Sequence, residues 1–267
     1  MSKRIGFIGV GNMGSAMLKG ILNTEFLKSD EVIASCRSEE TQKRIADDLM
    51  IAVTLDNAEA AQADVVFIAV KPAQVDEVAS QIRETLHEGQ LVISVVAGYD
   101  LKKLHLAFGA DTHIIRAMPN TPAMVGEAMS ALCTDELVTD AEKQTALGYF
   151  NCFGKASFVT EKLMDAVTGV SGSSPAFIYM IIEAMADAAV AEGMPRKQAY
   201  TFAAQSVLGS AKMVLETGKH PGELKDAVTS PGGTTIAGVA ALEEDGMRAA
   251  MIDAVRTAAQ KSREMSE

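Results

Sequence analysis

The chain has 267 residues, 48% of them hydrophobic and 22% charged, with a formal net charge of −11. That length allows one large or two modest globular domains, each able to bury a core. The acidic balance excludes a nucleic-acid backbone as partner, because no basic surplus exists to displace counterions. The start MSKRIGFIGV has no signal-peptide cleavage region, and no run approaches about 18 uninterrupted apolar residues, so no membrane partner is expected. Cys36, Cys133 and Cys152 are odd in number and lack C-x-x-C spacing, which suits a reducing cytoplasm. Neither cysteine nor histidine shows metal-ligand spacing, so no metal is expected.

Residues 5–10 (IGFIGV) form a short, β-branched apolar run and read as a buried strand. Gly9, Gly11 and Gly14 follow in G-x-G-x-x-G spacing, with Asn12 and Met13 between the last two. Gly9 permits the tight turn, Gly11 lets a pyrophosphate approach the backbone, and Gly14 lets the next helix pack on the strand. The helix start offers free N–H groups and a positive dipole end. The pattern alone is weak evidence for a dinucleotide. Its place between a strand and a helix strengthens it, against a ligand-free glycine turn.

Further apolar runs lie at 31–37 (EVIASCR), 64–70 (DVVFIAV), 90–97 (QLVISVVA) and 112–118 (THIIRAM). Polar periodic stretches such as 38–50 and 73–87 separate them, so the pattern predicts βαβ units and a mostly parallel, Rossmann-type sheet. Runs at 129–133 and 156–159 read as two more strands around a helix at 141–150.

From residue 161 strand-like runs vanish, and Ala, Met and Leu dominate. Pro175 suits the first turn of a helix running toward Glu192, with Gly193 beyond its end. Pro195 restarts a helix that runs to Thr217, and Gly218 closes it. Stretches 221–229, 235–244 and 247–264 complete an all-helical part. The fold class is therefore α/β, with a nucleotide-binding domain at 1–160 and an all-α domain at 161–267. The segment 176–191 (AFIYMIIEAMADAAVA) is apolar on nearly every face. Such a helix must be buried on all sides, which about a hundred residues cannot do alone. A homodimer with interleaved helices is the expected solution.

The choice of dinucleotide is read about twenty residues past the glycines, where NAD-selective folds place an acidic side chain on the ribose 2′-hydroxyl. Here Ser35, Cys36, Arg37 and Ser38 stand instead. Arg37 can fork onto a 2′-phosphate, the neighbouring hydroxyls can add bonds, and no carboxylate is expected to oppose it. NADPH is therefore expected, with use of both cofactors as the alternative. Two more loops follow strand ends on the same edge: Ala69, Val70, Lys71 and Pro72, then Ala97 and Gly98. Lys71 reads equally as a phosphate or substrate contact and as a surface lysine. The loop 118–122 (MPNTP) is stiffened by Pro119 and Pro122. Its Asn120 can bond the nicotinamide amide or serve as a rigid connector.

A second glycine-rich turn lies in the helical part: Ser230, Pro231, Gly232, Gly233, Thr234 and Thr235. Paired glycines allow close backbone approach, and the helix start behind them offers N–H donors to a small anion such as a carboxylate. Thr235 adds a hydroxyl that donates or accepts. An elaborate helix cap fits the same residues.

The stretch 223–243 (ELKDAVTSPGGTTIAGVAALE) resembles the signature of the pyrroline-5-carboxylate reductases. The likeness spans essentially the whole chain, through GFIGVGNMGSAM at 6–17, AVKP at 69–72, RAMPNTP at 116–122 and GSSPAF at 172–177. The C-terminal signature is specific to that family, whereas the N-terminal glycines are shared with many dehydrogenases. The resemblance implies hydride transfer from NAD(P)H to the C=N bond of 1-pyrroline-5-carboxylate, giving L-proline. It also implies a dimer, often assembled into a decamer, with the site completed across the dimer interface. Position by position, it places the pyrophosphate on residues 9–14 and the adenosine phosphate on residues 35–37. Asn57 falls on the adenosine ribose, and residues 69–72 run along the cofactor. The substrate carboxylate falls on the N–H groups of residues 230–234, and its ring nitrogen on Thr235. One departure is Ser174, where many relatives have glycine.

No acid catalyst is evident, since His87, His105, His113 and His220 form no cluster. A protonated imine needs none, and orientation alone can supply about 7–11 kcal/mol. Two rivals remain. A β-hydroxyacid dehydrogenase would need a catalytic lysine at a glycine-rich helix start, and none of Lys162, Lys197, Lys212, Lys219 and Lys225 sits in one. A non-catalytic NADP-binding sensor would have no need of the intact loop 230–235.

Overall fold

The computed structural model describes residues 4–266. Its eight strands are β1 Ile5–Ile8, β2 Val32–Ser35, β3 Ala52–Thr54, β4 Val65–Ile68, β5 Leu91–Ser94, β6 His113–Met118, β7 Ala128–Thr134 and β8 Gly154–Phe158. Helices α1 Asn12–Asn23, α2 Glu39–Leu49, α3 Asn57–Ala60, α4 Val75–Ile82 and α5 Leu101–Phe108 alternate with the first six strands. Helix α6 Asp140–Asn151 joins β7 to β8, and α7 Met164–Val167 follows β8. Helices α8 Ser174–Ala191, α9 Arg196–Thr217, α10 Pro221–Ala227, α11 Thr234–Glu244 and α12 Met247–Ser266 complete the chain.

The strands form one sheet in the order β3-β2-β1-β4-β5-β6-β7-β8. Pairing is parallel from β3 through β6, β7 runs antiparallel to β6, and β8 is parallel to β7. The strand order reverses between β1 and β4, which makes a crevice at their carboxyl ends. This is the Rossmann-type, mostly parallel sheet that the alternating runs predict. The first strands are shorter than those runs, because the ladder stops where turn geometry begins. At β1 it stops before Gly9, whose φ is +92°. Strand β3 is the one that the apolar pattern did not delimit, being three residues long and only partly covered at the sheet edge.

Helices flank both faces and give two cores. In one, Phe7 and Phe67 are register partners on β1 and β4, and their rings stack at 4.4 Å. Tyr149 of α6 meets Phe67 edge-on at 5.6 Å. On the other face α3 lies directly over β1, and a Cβ built on Gly6 would fall 1.9 Å from the Ala60 carbonyl oxygen. Local signals set the helix starts. Ser38 accepts from the Thr41 N–H, Asp100 accepts from the Lys103 N–H, and Thr139 and Glu142 form a capping box. His105 and His113 pair with Asp135 and Glu142 at 2.6 and 2.7 Å, so each ring already has a carboxylate partner.

The described residues divide into two compact units, one of residues 4–172 with 258–266 and one of Ser173–Thr257. In the second, α8 begins at Ser174 with Pro175 in its first turn, and Gly193 beyond its end has φ +94°. Pro195 is the N-cap of α9, and Gly218 ends that helix at φ +64°. The two helices meet through Ala186, Ala199 and Ala203, with Ile182 and Ala189 beside them. This core is small. Tyr179, Met180, Phe202, Leu208 and Leu215 stay exposed.

The helical run Glu161–Ala191 is long and apolar enough to cross a membrane, and 6% of its apolar window is buried. This corrects the expectation that no such stretch exists. The run is apolar on average and not without interruption, since Asp165 and Glu183 fall inside it. A search for an unbroken apolar stretch therefore passes over it.

The contact of α3 with β1 leaves no space at Gly6. Gly6→Ala is expected to cost about 1–3 kcal/mol through overpacking against backbone that cannot rotate away. Urea unfolding checks this as a lowered midpoint at unchanged slope.

Candidate functional site

The three glycines of the first turn do different work. Gly9 has φ +92°, and a Cβ there would meet Val70 Cγ1 at 2.7 Å and the Ala69 carbonyl oxygen at 2.8 Å. A Cβ on Gly14 would fall 2.6 Å from the Gly9 carbonyl oxygen. Both glycines are required by the fold itself. Gly11 is different, because nothing lies within 4 Å of its absent side chain. It is the N-cap of α1 with no side-chain cap, so the first N–H groups of that helix open onto free space. An anion fits there, and the space over Gly11 suits a pyrophosphate.

A cleft of about 410 Å³ lies at the carboxyl ends of β1, β2 and β4. It brings together Gly9, Gly11, Ser35, Cys36, Arg37, Asn57, Ala69, Val70 and Lys71. Asn12 lines a second recess, of about 660 Å³, along α1. Met13 packs against the core, and Gly14 is buried in α1. Pro72, Ala97 and Gly98 line a third recess, of about 370 Å³, with Tyr99 and Met265. Asn120 is not among the residues lining the cleft. Its Oδ1 accepts from the Met129 N–H at 3.0 Å and its Nδ2 donates to the Ser171 carbonyl at 3.0 Å. That is the geometry of the rigid connector.

The floor of the cleft is a chain of neutral hydrogen bonds. Ser35 Oγ donates to Asn57 Oδ1 at 2.6 Å, and Asn57 Nδ2 donates to Gln81 Oε1 at 2.6 Å. Burial lifts the Cys36 thiol above its ordinary value, and its Sγ donates to the Ser38 carbonyl. A protonated thiol adds no negative charge beside Arg37. The expectation that no carboxylate stands near Arg37 is overturned. Glu77 Oε2 lies 3.2 Å from Arg37 Nη2. It escapes a reading of the second strand because it arrives from α4, 40 residues further on. Gln74, Glu77 and Gln81 all line the cleft. Their spacing after the loop 69–72 puts them on one helical face, and that polar face was the available signal.

In the second unit, Gly232 has φ +70° and the Gly233 N–H donates to the Ser230 carbonyl at 3.0 Å. Gly233 is the N-cap of α11 and has no side-chain cap. A Cβ on it would fall 2.5 Å from Ser230 Oγ. Thr234 and Thr235 open the helix and are exposed, as is Ser230. The turn presents helix-start N–H groups beside two threonine hydroxyls, a donor set suited to a small carboxylate.

Because Gly11 alone of the three glycines borders open space, Gly11→Ala separates binding from folding. Its stability is expected to fall by no more than about 1 kcal/mol, the cost of alanine in place of glycine at a helix N-cap. Its affinity for NADPH is expected to fall by about tenfold or more, since the added methyl fills the approach to the backbone. Thermal unfolding and fluorescence titration with NADPH check the two parts.

A family model described as pyrroline-5-carboxylate reductase dimerisation matches residues 161–265. One described as NADP oxidoreductase, coenzyme F420-dependent, matches residues 4–98. The pyrroline-5-carboxylate reductase of Escherichia coli (strain K12) is 49% identical over 268 residues, covering 100% of each chain. A solved pyrroline-5-carboxylate reductase from Coxiella burnetii is 32% identical with a TM-score of 0.93, over 100% of both chains. The pyrroline carboxylate reductase of Plasmodium falciparum, solved with NADP bound, is 32% identical with a TM-score of 0.90, over 99% of this chain and 98% of that one. A relative this similar, matched from end to end, settles the kinship: the chain belongs to the pyrroline-5-carboxylate reductase family.

Proposed function

We propose that this chain reduces 1-pyrroline-5-carboxylate to L-proline, the last step of proline synthesis, using NADPH and accepting NADH. The observation that carries the reading is the turn at 230–235, an uncapped helix start opened by two glycines, in a chain that also has an open cradle over Gly11. One feature suits a small carboxylate and the other a pyrophosphate.

Bound NAD(P)H supplies the hydride that goes to the C=N carbon. The chain's own residues hold the partners. Gly9, Gly11, Asn12, Met13 and Gly14 cradle the pyrophosphate. Ser35, Cys36 and Arg37 take the adenosine phosphate, and Asn57 takes the ribose. Ala69, Val70, Lys71, Pro72, Ala97 and Gly98 run along the cofactor, and Asn120 holds the loop beyond β6 in place. Ser230, Gly232, Gly233 and Thr234 hold the substrate carboxylate through N–H groups. Thr235 aligns the ring nitrogen and, as a neutral hydroxyl, accepts from the iminium N–H. Catalysis then rests on orientation and needs no separate acid.

The division of labour is a nucleotide-binding part at 1–160 and a substrate-binding and dimerisation part at 161–267. A second copy covers the exposed apolar faces of α8 and α9, and dimers assemble further into a decamer in the cytoplasm. The exposed Tyr179, Met180 and Phe202 support a protein partner for these faces.

Three measurements test the proposal. Oxidation of NADPH and NADH is followed with 1-pyrroline-5-carboxylate and with its six-membered homologue, and turnover of the five-membered ring is expected. Thr235→Ala is expected to lower kcat/KM by about tenfold to a hundredfold, the scale of a hydrogen bond to a charged group, with NADPH affinity retained. A loss confined to NADPH binding would refute the role of Thr235. Sedimentation at micromolar concentration is expected to give a dimer or a multiple of it, and a stable monomer contradicts the covered faces.

A further inference from the structure

The cofactor cleft carries a charge that its glycine turn does not call for. The Glu77 carboxylate lies 3.2 Å from Arg37 Nη2, and both side chains line the same cleft as Ser35, Asn57 and Lys71. A guanidinium positioned for a 2′-phosphate is thus already engaged by a carboxylate. Phosphate and carboxylate compete for the same fork of donors, and they repel each other at that distance. A ribose 2′-hydroxyl meets no such conflict, because it can donate to the carboxylate.

We propose that Glu77 is a specificity-determining residue, which weakens the hold of Arg37 on a 2′-phosphate and thereby admits NADH beside NADPH. The inference rests on the reading that Arg37 meets the adenosine ribose end of the cofactor.

Two observations separate this role from a structural one. The Arg37 and Glu77 side chains are 70% and 61% exposed, and an ion pair that open contributes little to folding. The neighbouring floor is fixed without them, through the hydrogen bonds linking Ser35, Asn57 and Gln81. Glu77 and Gln81 are four residues apart on α4, so one helical face presents both a neutral anchor and a charge. The neutral anchor holds Asn57, and the charge is free to act on whatever binds Arg37.

The test compares two cofactor fragments, 2′,5′-ADP and 5′-AMP, which differ by the 2′-phosphate. Their binding to the full-length parent, Glu77→Gln and Arg37→Ala is measured by calorimetry. Glu77→Gln is expected to bind 2′,5′-ADP about three- to tenfold more tightly, as removal of an exposed charge contact allows. Its affinity for 5′-AMP is expected to stay within about twofold or to weaken. The gain shrinks in added salt, because the Debye length is about 8 Å at 0.15 M and the pair is open to solvent. The ratio of kcat/KM for NADPH to that for NADH rises by the same factor. If Glu77→Gln tightens neither fragment, or both equally, the inference is overturned. Arg37→Ala tells the two failures apart. If it loses 2′,5′-ADP affinity while Glu77→Gln changes nothing, the placement of the cofactor stands and the role of Glu77 falls. If it changes neither affinity, the placement falls and takes the inference with it.

Discussion

The turn from β1 into α1 has no room for a side chain at Gly9 or Gly14, and the position of α1 depends on that. Gly9 sits against Ala69 and Val70 of the loop after the neighbouring strand β4, and Gly14 sits against the Gly9 carbonyl. These contacts draw the start of α1 down onto the carboxyl ends of β1 and β4, where the strand order reverses. Gly11 then stands alone over open space with the helix N–H groups behind it. One steric constraint thereby sets the turn, the helix position and the anion cradle together. The second half of the chain repeats the device in smaller form, with Gly232 at positive φ and Gly233 as an uncapped helix start.

Charge on the acidic chain is arranged locally around that cradle. The net charge is −11, yet Arg37 and Lys71 both line the cleft. Glu77 lies 3.2 Å from Arg37, and the buried Cys36 thiol stays protonated. Elsewhere in the same unit, burial pushes the Cys133 thiol up to about 12, so it too behaves as a small apolar group. The polar groups of the cleft are therefore mainly hydroxyls, amides and backbone N–H groups, with a few charges among them.

The sheet was legible because its strands are buried on both faces and read as apolar runs, as in Val65–Ile68 and Leu91–Ser94. The ends were less so. Val10 belongs to the apolar run but lies beyond the strand, since the positive φ of Gly9 breaks the ladder first. Strand β3 is too short and too open to leave a pattern. Helix punctuation by Pro175, Gly193, Pro195 and Gly218 was legible because each acts through its own backbone, the prolines by a fixed φ and the glycines by their freedom to take positive φ. The pairing of Arg37 with Glu77 was not, because it joins α4 to the end of β2 through tertiary structure alone. The apolar faces of α8 and α9 announce a covering partner, and a single chain leaves them open.

The account holds that the first turn carries the cofactor and that the turn at 230–235 carries the substrate carboxylate. A crystal structure of the full-length protein with NADP⁺ and L-proline tests this most directly. The account predicts the proline carboxylate on the N–H groups of residues 232–235, Thr235 Oγ1 at the ring nitrogen, and nicotinamide C4 about 3–3.5 Å from the carbon that exchanges hydride. Proline bound away from that turn, or a pyrophosphate that does not lie over Gly11, would contradict it.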